Sequence, residues 1–165
     1  MPGTITPAQM FDHELNPVKG WPSPYAVDKS GPFANATEQA AIKAGMVVQL
    51  DATGKFTRGC ANGAMPIFAF PNGLDFDVAS DVGNISGGNL VGLVAVGGYE
   101  LETTEFSGVG FAPNVPLTPD ATTGAVKATT IGSTDMIVGV CSAETFTNEF
   151  KKTFLRFWPV YMPKR

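Results

Sequence analysis

The clearest secondary-structure pattern in the chain lies between residues 42 and 56. This stretch reads Ile42-Lys43-Ala44-Gly45-Met46-Val47-Val48-Gln49-Leu50-Asp51-Ala52-Thr53-Gly54-Lys55-Phe56. Residues 46–50 form an apolar run that favours a strand. Asp51 and Gly54 then supply a turn-forming side chain and a residue that tolerates positive φ, and residues 55–57 return as a second strand. The sequence therefore predicts a β-hairpin.

Short apolar runs separated by turn-forming residues continue along the chain. The predicted further strands are residues 65–70, 90–96, 99–103, 126–129 and 136–141. The chain has 165 residues, of which 19 are Gly and 13 are Pro, too many helix breakers for an all-helical bundle. Short strands with frequent turns are typical of an all-β protein, and we predict a small antiparallel β-sandwich or β-barrel.

The segment 146–161 holds six of the 17 aromatic residues and admits two structures. Phe146, Phe150, Phe154 and Phe157 have the spacing of one helix face. The run from Thr153 to Trp158 is instead rich in β-forming residues, and Pro159 would stop a helix, which favours a closing strand. Phe157 and Trp158 are candidates for an oligomer interface or for the core, and the sequence does not separate these roles.

A turn pattern occurs twice in the chain. Asp51-Ala52-Thr53-Gly54 is echoed by Asp120-Ala121-Thr122-Thr123-Gly124, and an apolar run follows each copy. The echo indicates either a weak internal duplication or the chance recurrence of a common hairpin turn.

Residues 1–35 have a different composition from the rest. Six of the 13 prolines lie within the first 32 residues, so we predict an irregular, extended N-terminal arm over 1–35, followed by a single β-rich domain over 36–165. The arm also carries aromatic residues that a disordered polar tail would lack. Phe11, Trp21, Tyr25 and Phe33 are therefore predicted to dock, either on another chain or on the body of their own chain.

Charge and hydropathy exclude several classes of partner. There are 11 Lys and Arg against 15 Asp and Glu, a formal net charge of −4, and no basic surface is expected to bind nucleic acid. No apolar run approaches the roughly 18 residues that a membrane-spanning helix needs. The first residues lack the basic and apolar regions of a signal peptide, so we expect a protein that is assembled in a cytoplasm.

The residues that usually carry catalysis or bind metals do not form a recognisable motif. His13 is the only histidine and lies in the predicted arm, where nothing would hold an imidazole rigidly. Cys60 and Cys141 are 81 residues apart without metal-ligand spacing and are predicted to be buried thiols. Asp75 and Asp77, with Asp81, are interpreted as a solvated strand edge. Neither a phosphate-binding glycine loop nor a serine-hydrolase motif is present, so we expect no enzyme activity and no cofactor.

Residues 42–56, and again residues 136–141, resemble the capsid decoration proteins of tailed bacteriophages, which are also called cement proteins. The similarity extends over about residues 42–70 and 114–160. It implies binding to the outside of an expanded capsid, with the major capsid protein as partner, often as a homotrimer and without catalysis. The protein would then be part of the virion. A tail-tube or head-completion subunit and a carbohydrate-binding β-module are the alternatives.

Overall fold

The computed structural model describes residues 15–19, 33–61, 64–71, 90–94, 99–130 and 132–163. These residues form an all-β fold of two antiparallel sheets with one short helix, which confirms the predicted fold class. The strands are β1 (Leu15–Lys19), β2 (Val47–Leu50), β3 (Phe56–Arg58), β4 (Ile67–Pro71), β5 (Leu90–Val94), β6 (Glu100–Thr103), β7 (Pro116–Pro119), β8 (Val126–Ala128), β9 (Ile137–Cys141), β10 (Phe146–Thr147) and β11 (Thr153–Met162), and the helix is α1 (Ala36–Ala41).

The larger sheet is built around the last strand. Its seven strands run in the order β1-β6-β11-β9-β7-β8, and β10 pairs with the beginning of β11. The ten residues of β11 confirm the predicted closing strand, and the helical alternative for this segment is wrong. The strand is favoured over the helix because β11 pairs with β6 on one side and with β9 on the other, and both partners satisfy its backbone polar groups.

The smaller sheet contains the predicted hairpin. Its order is β3-β2-β4-β5, and Val48 pairs with Arg58 in the hairpin register. The alternation of side chains buries both faces of this sheet. Val47 and Phe68 contribute to the main core that the two sheets share, whereas Val48 joins a second apolar cluster on the opposite face.

Phe157 lies in the main core, between the two sheets. Its side chain is fully buried, and its ring centroid is 5.3 Å from that of Phe68 in the smaller sheet. Of the two roles that the sequence left open for Phe157, the structure therefore supports the core and corrects the oligomer interface, because the register of β11 directs this ring inward. Trp158, the next residue, is 38% exposed on the other side of the strand.

Both copies of the repeated turn use their aspartate in the same way. The Asp51 carboxylate accepts hydrogen bonds from the backbone N–H groups of Thr53 and Lys55, at 2.8 and 2.9 Å. The Asp120 carboxylate accepts from the N–H groups of Thr122 and Thr123, at 3.0 and 2.8 Å. The two turns therefore share the same Asx-type hydrogen bonding, which an aspartate at the start of such a turn provides.

Part of the predicted N-terminal arm belongs to the folded β-rich domain. The prediction of an irregular segment is wrong for Leu15–Lys19, which is strand β1 and pairs with β6. Leu15 is buried in the main core. Phe33 is also buried, in the second cluster, where it forms a parallel bridge with Phe56. Phe33 thus packs on the body of its own chain, which is one of the two alternatives left open by the sequence. Its prediction as an anchor for another chain is corrected.

Helix α1 was not predicted and connects Phe33 to the hairpin. Its N-cap is Asn35, whose side chain accepts a hydrogen bond from the N–H of Glu38 at 3.0 Å. The Glu38 carboxylate accepts two side-chain hydrogen bonds from Arg58 on β3, both at 3.1 Å. This bidentate contact fixes the helix against the edge of the smaller sheet.

Candidate partner-binding surfaces

Most of the residues that the sequence singled out for chemistry or for docking lie outside the described residues. These are Phe11, His13, Trp21, Tyr25, Asp75, Asp77 and Asp81. In the described part of the chain, no group of three or more His, Cys, Asp and Glu side chains is placed to hold a metal ion. No helix among those residues is long and apolar enough to cross a membrane.

The two cysteines are buried, as predicted, and their environment disfavours the reactive thiolate. Burial raises the pKa of the Cys60 thiol from 9.0 to about 11. Burial likewise raises the pKa of the Cys141 thiol from 9.0 to about 11. Since the thiolate is the nucleophilic form, the raised pKa values disfavour nucleophilic reactivity of either side chain.

The larger sheet and its loops carry three exposed apolar features, and the first is a groove. Pro116, Val140 and Trp158 pair directly across β7, β9 and β11, so their side chains share one face. Beside this row lies a groove of about 430 Å³, lined on its apolar side by Pro116, Ile137, Val140 and Met162. Met162 is exposed, and Asp135 is the only charged side chain among the described residues that line the groove.

The second feature is the tip of the β10–β11 hairpin, at the other end of β11. Phe150 is 42% exposed there and is flanked by the exposed residues Glu149 and Lys151. The sequence interpretation placed Phe150 in an aromatic stripe. The signal that it lies on a turn is Asn148, a turn-forming residue two positions before it in the Asn-Glu-Phe-Lys sequence.

The third feature is the loop between β6 and β7. At its tip, Val109 is 88% exposed between Gly108 and Gly110, which both adopt φ of +90°. Behind the tip, the rings of Phe106 and Phe111 pack edge to face with centroids 5.3 Å apart, and both rings rest on the main core. This loop was not singled out from the sequence. The sequence signal for an exposed loop tip was an apolar residue between two glycines, which accept positive φ.

Comparisons with known proteins do not assign these surfaces. No protein-family model matches the chain, and no curated protein or solved structure is significantly similar to it.

Proposed function

We propose that this chain is a structural virion protein that binds the outer surface of an expanded phage capsid. It would stabilise the shell by bridging major capsid subunits, without a catalytic step. The resemblance of residues 42–56 and 136–141 to capsid decoration proteins supports this function. The all-β body, with its exposed apolar features on well-packed elements, is compatible with it.

The observation that carries the proposal is the exposure of Val109 at the tip of the loop between β6 and β7. Val109 is 88% exposed at the tip between two glycines, so a partner that covers the tip would bury most of the apolar surface of this side chain. The edge-to-face rings of Phe106 and Phe111 fix the base of the loop on the core. Binding through such a preorganised loop loses little conformational entropy, which increases affinity for a given contact area.

Capsid stabilisation follows from binding alone. A protein that binds the expanded shell but not its separated subunits shifts the equilibrium towards the shell by mass action. When several copies act together, each engaging its own capsid site, modest single contacts combine into slow dissociation. No chemistry at a catalytic residue is required.

Co-sedimentation of the purified full chain with expanded capsids that lack it tests this function. We expect saturable binding, with many copies on each head. Val109→Asp should weaken binding at least about tenfold, because a carboxylate would be desolvated at the contact. Leu50→Asp is the matched control, since Leu50 is also an exposed apolar residue but lies on the smaller sheet. A full chain that fails to bind heads at any concentration would overturn the proposal.

A truncation that tests the role of the N-terminal region must leave the folded β-rich domain intact. Removing residues 1–35 would also delete β1 and Phe33, which contribute to the two apolar clusters. Removal of residues 1–14 alone leaves both in place. Trp21→Ala combined with Tyr25→Ala then tests the remaining predicted anchors. Unchanged capsid occupancy in both variants would exclude an anchoring role for these segments.

A carbohydrate-binding module is the second candidate, and exposed Trp158 is the observation that favours it. A tryptophan face beside a groove can stack on a sugar ring, and Asn114, Ser133 and Asp135 offer polar groups along the same groove. Binding of soluble polysaccharides without capsids, lost in Trp158→Ala, would favour this function. A tail-tube or head-completion subunit would instead locate to tails or to the portal, at low copy number.

A further inference from the structure

The tip of the β10–β11 hairpin is held in one conformation by its own backbone contacts. The Asn148 side chain accepts hydrogen bonds from the N–H groups of Phe150 and Lys152, both at 3.0 Å. The N–H of Lys151 donates to the carbonyl oxygen of Asn148 at 3.0 Å, and Lys151 adopts φ of 63°. These bonds present the Phe150 ring and the Lys151 ammonium group outward together.

The base of the hairpin is fixed to the larger sheet as well. Phe146 and Phe154 stack with ring centroids 5.6 Å apart. The Arg156 guanidinium lies 4.3 Å from the centroid of the Phe146 ring, and its Nε donates to Glu102 on β6 at 3.0 Å. The tip is therefore a preorganised projection, which favours binding because little entropy is lost.

The groove at the other end of β11 complements this tip in shape and charge. Its volume of about 430 Å³ has room for a phenyl ring, and its apolar side would take one. Asp135 supplies a negative charge at the groove. The exposed Lys151 supplies a positive charge at the tip.

We propose that the hairpin tip of one copy docks in the groove of a second copy of this chain. The Phe150 ring would pack against Ile137 and Met162, and the Lys151 ammonium group would pair with the Asp135 carboxylate. The Phe150 ring cannot reach Ile137 and Met162 of its own chain, because these residues lie at the far end of β11, about 30 Å away at 3.3 Å per residue.

Such a contact joins two different surfaces and is therefore heterologous. Repetition of a heterologous contact closes into a ring when the rotation between copies allows it. Trp158, which the sequence offered as a possible interface residue, lies beside the groove and would border the contact. This self-association does not depend on capsid binding and is measured without capsids.

Sedimentation velocity of the purified full chain over a range of concentrations tests the proposal. We expect reversible oligomers, with Phe150→Ser weakening association at least about tenfold. Leu50→Ser is the matched control, because Leu50 is an apolar residue 38% exposed on the smaller sheet, outside the proposed contact, and its loss should leave association unchanged. A chain that stays monomeric at every accessible concentration would overturn the proposal.

A charge exchange makes the test specific. Lys151→Glu and Asp135→Lys should each weaken association at least about tenfold, whereas the double variant should recover most of it, because the opposite charges meet again. Lys151→Gly removes the charge while keeping a residue that accepts the positive φ, so it separates the charge from strain in the turn. Failure of the double variant to recover would overturn the pairing.

The C-terminal Lys164 and Arg165 follow the groove residue Pro163 in sequence and lie outside the described residues. A chain that ends at Pro163 lacks these two charges but keeps Asp135, so it tests which of them affects the association. We expect its association to be equal or stronger, because two positive charges that follow a groove residue in the sequence are removed. Loss of association in this variant would show that the contact depends on those residues and would overturn the assignment to Asp135.

Discussion

The backbone N–H of Val47 donates a hydrogen bond of 2.7 Å to the carbonyl oxygen of Gly124. Val47 lies in β2 of the smaller sheet, and Gly124 ends the Asp120 turn of the larger one. The carbonyl oxygen of Val47 accepts in turn from the N–H of Gly59, at 2.8 Å. The first of these bonds joins the two sheets through the backbone, in addition to the shared core.

Gly124→Ala should destabilise the protein by about 3 kcal/mol, because it combines backbone strain with a clash. Gly124 adopts φ of +75°, and a Cβ added there would lie 2.6 Å from the Val47 carbonyl oxygen. The matched control is Gly132→Ala, where φ is +88° but nothing lies within 4 Å of the added Cβ. We expect about 1 kcal/mol for this control, from strain alone. Urea unfolding of both variants measures the difference, and equal costs would contradict the close approach.

Asp120 should make stability depend on pH in the acid range. The N–H groups of Thr123 and Thr122 hydrogen-bond its carboxylate and lower its pKa from 3.8 to about 2. A carboxyl group with a lowered pKa in the folded state stabilises fully above its unfolded pKa. The contribution is then lost as the pH falls from about 4 towards 2.

Thermal unfolding of the wild type and of Asp120→Asn over this pH range measures the contribution. The stability difference between the two proteins should shrink as the pH falls, because an asparagine side chain does not titrate. A difference that stays constant down to pH 2 would show that the turn does not hold Asp120 in its ionised form.

The sequence predicted those elements whose signal is local. The hairpin of β2 and β3 and the closing strand β11 were recognised because alternation, turn residues and aromatic content lie within a short window. Strand β1 was missed because its partner β6 lies more than 80 residues away in sequence, so its pairing has no local signal. Pro116 and Pro119 obscured β7, since proline is normally a strand breaker.

The exposed features were harder to predict than the fold. Phe157 and Trp158 are neighbours of similar apolar character, and only the register of β11 against β9 decides which one enters the core. Phe150 shares the helical spacing of its aromatic neighbours, although Asn148 turns the chain there. A single sequence records neither the register nor the partner that covers an exposed side chain.

The buried thiols give a prediction on reactivity. Cys60 and Cys141 should resist a thiol reagent in the native protein at pH 8, because burial raises both pKa values to about 11. Labelling should follow unfolding and accelerate when urea is added. Rapid reaction of either thiol in the native state, followed by mass spectrometry, would contradict the buried placement.

The same thiols should lower stability in alkaline solution. A thiol whose pKa is raised in the folded state stabilises fully below its unfolded pKa of about 9. That contribution is lost as the pH rises from 9 towards 11, because the unfolded chain then ionises more readily. Cys141→Ser, measured by thermal unfolding over this range, should show a weaker pH dependence than the wild type.

Truncation of Phe157 should lower the free energy of unfolding much more than truncation of Trp158. Phe157→Ala removes a fully buried ring that packs on Phe68 and should cost about 3 to 5 kcal/mol of unfolding free energy. Trp158→Ala removes a side chain that is 38% exposed and should cost about 1 kcal/mol. Urea unfolding of the two variants measures both values.

The same pair of variants also separates folding from association. Because Trp158 borders the groove, Trp158→Ala should weaken self-association in sedimentation velocity while the protein remains folded. Phe157→Leu serves as the control, since it keeps an apolar side chain in the core and leaves the outer face of the sheet unchanged. This control should lose some stability but associate like the wild type. Equal losses of association in Trp158→Ala and Phe157→Leu would mean that packing of the sheet, and not the outer face of β11, determines the oligomer.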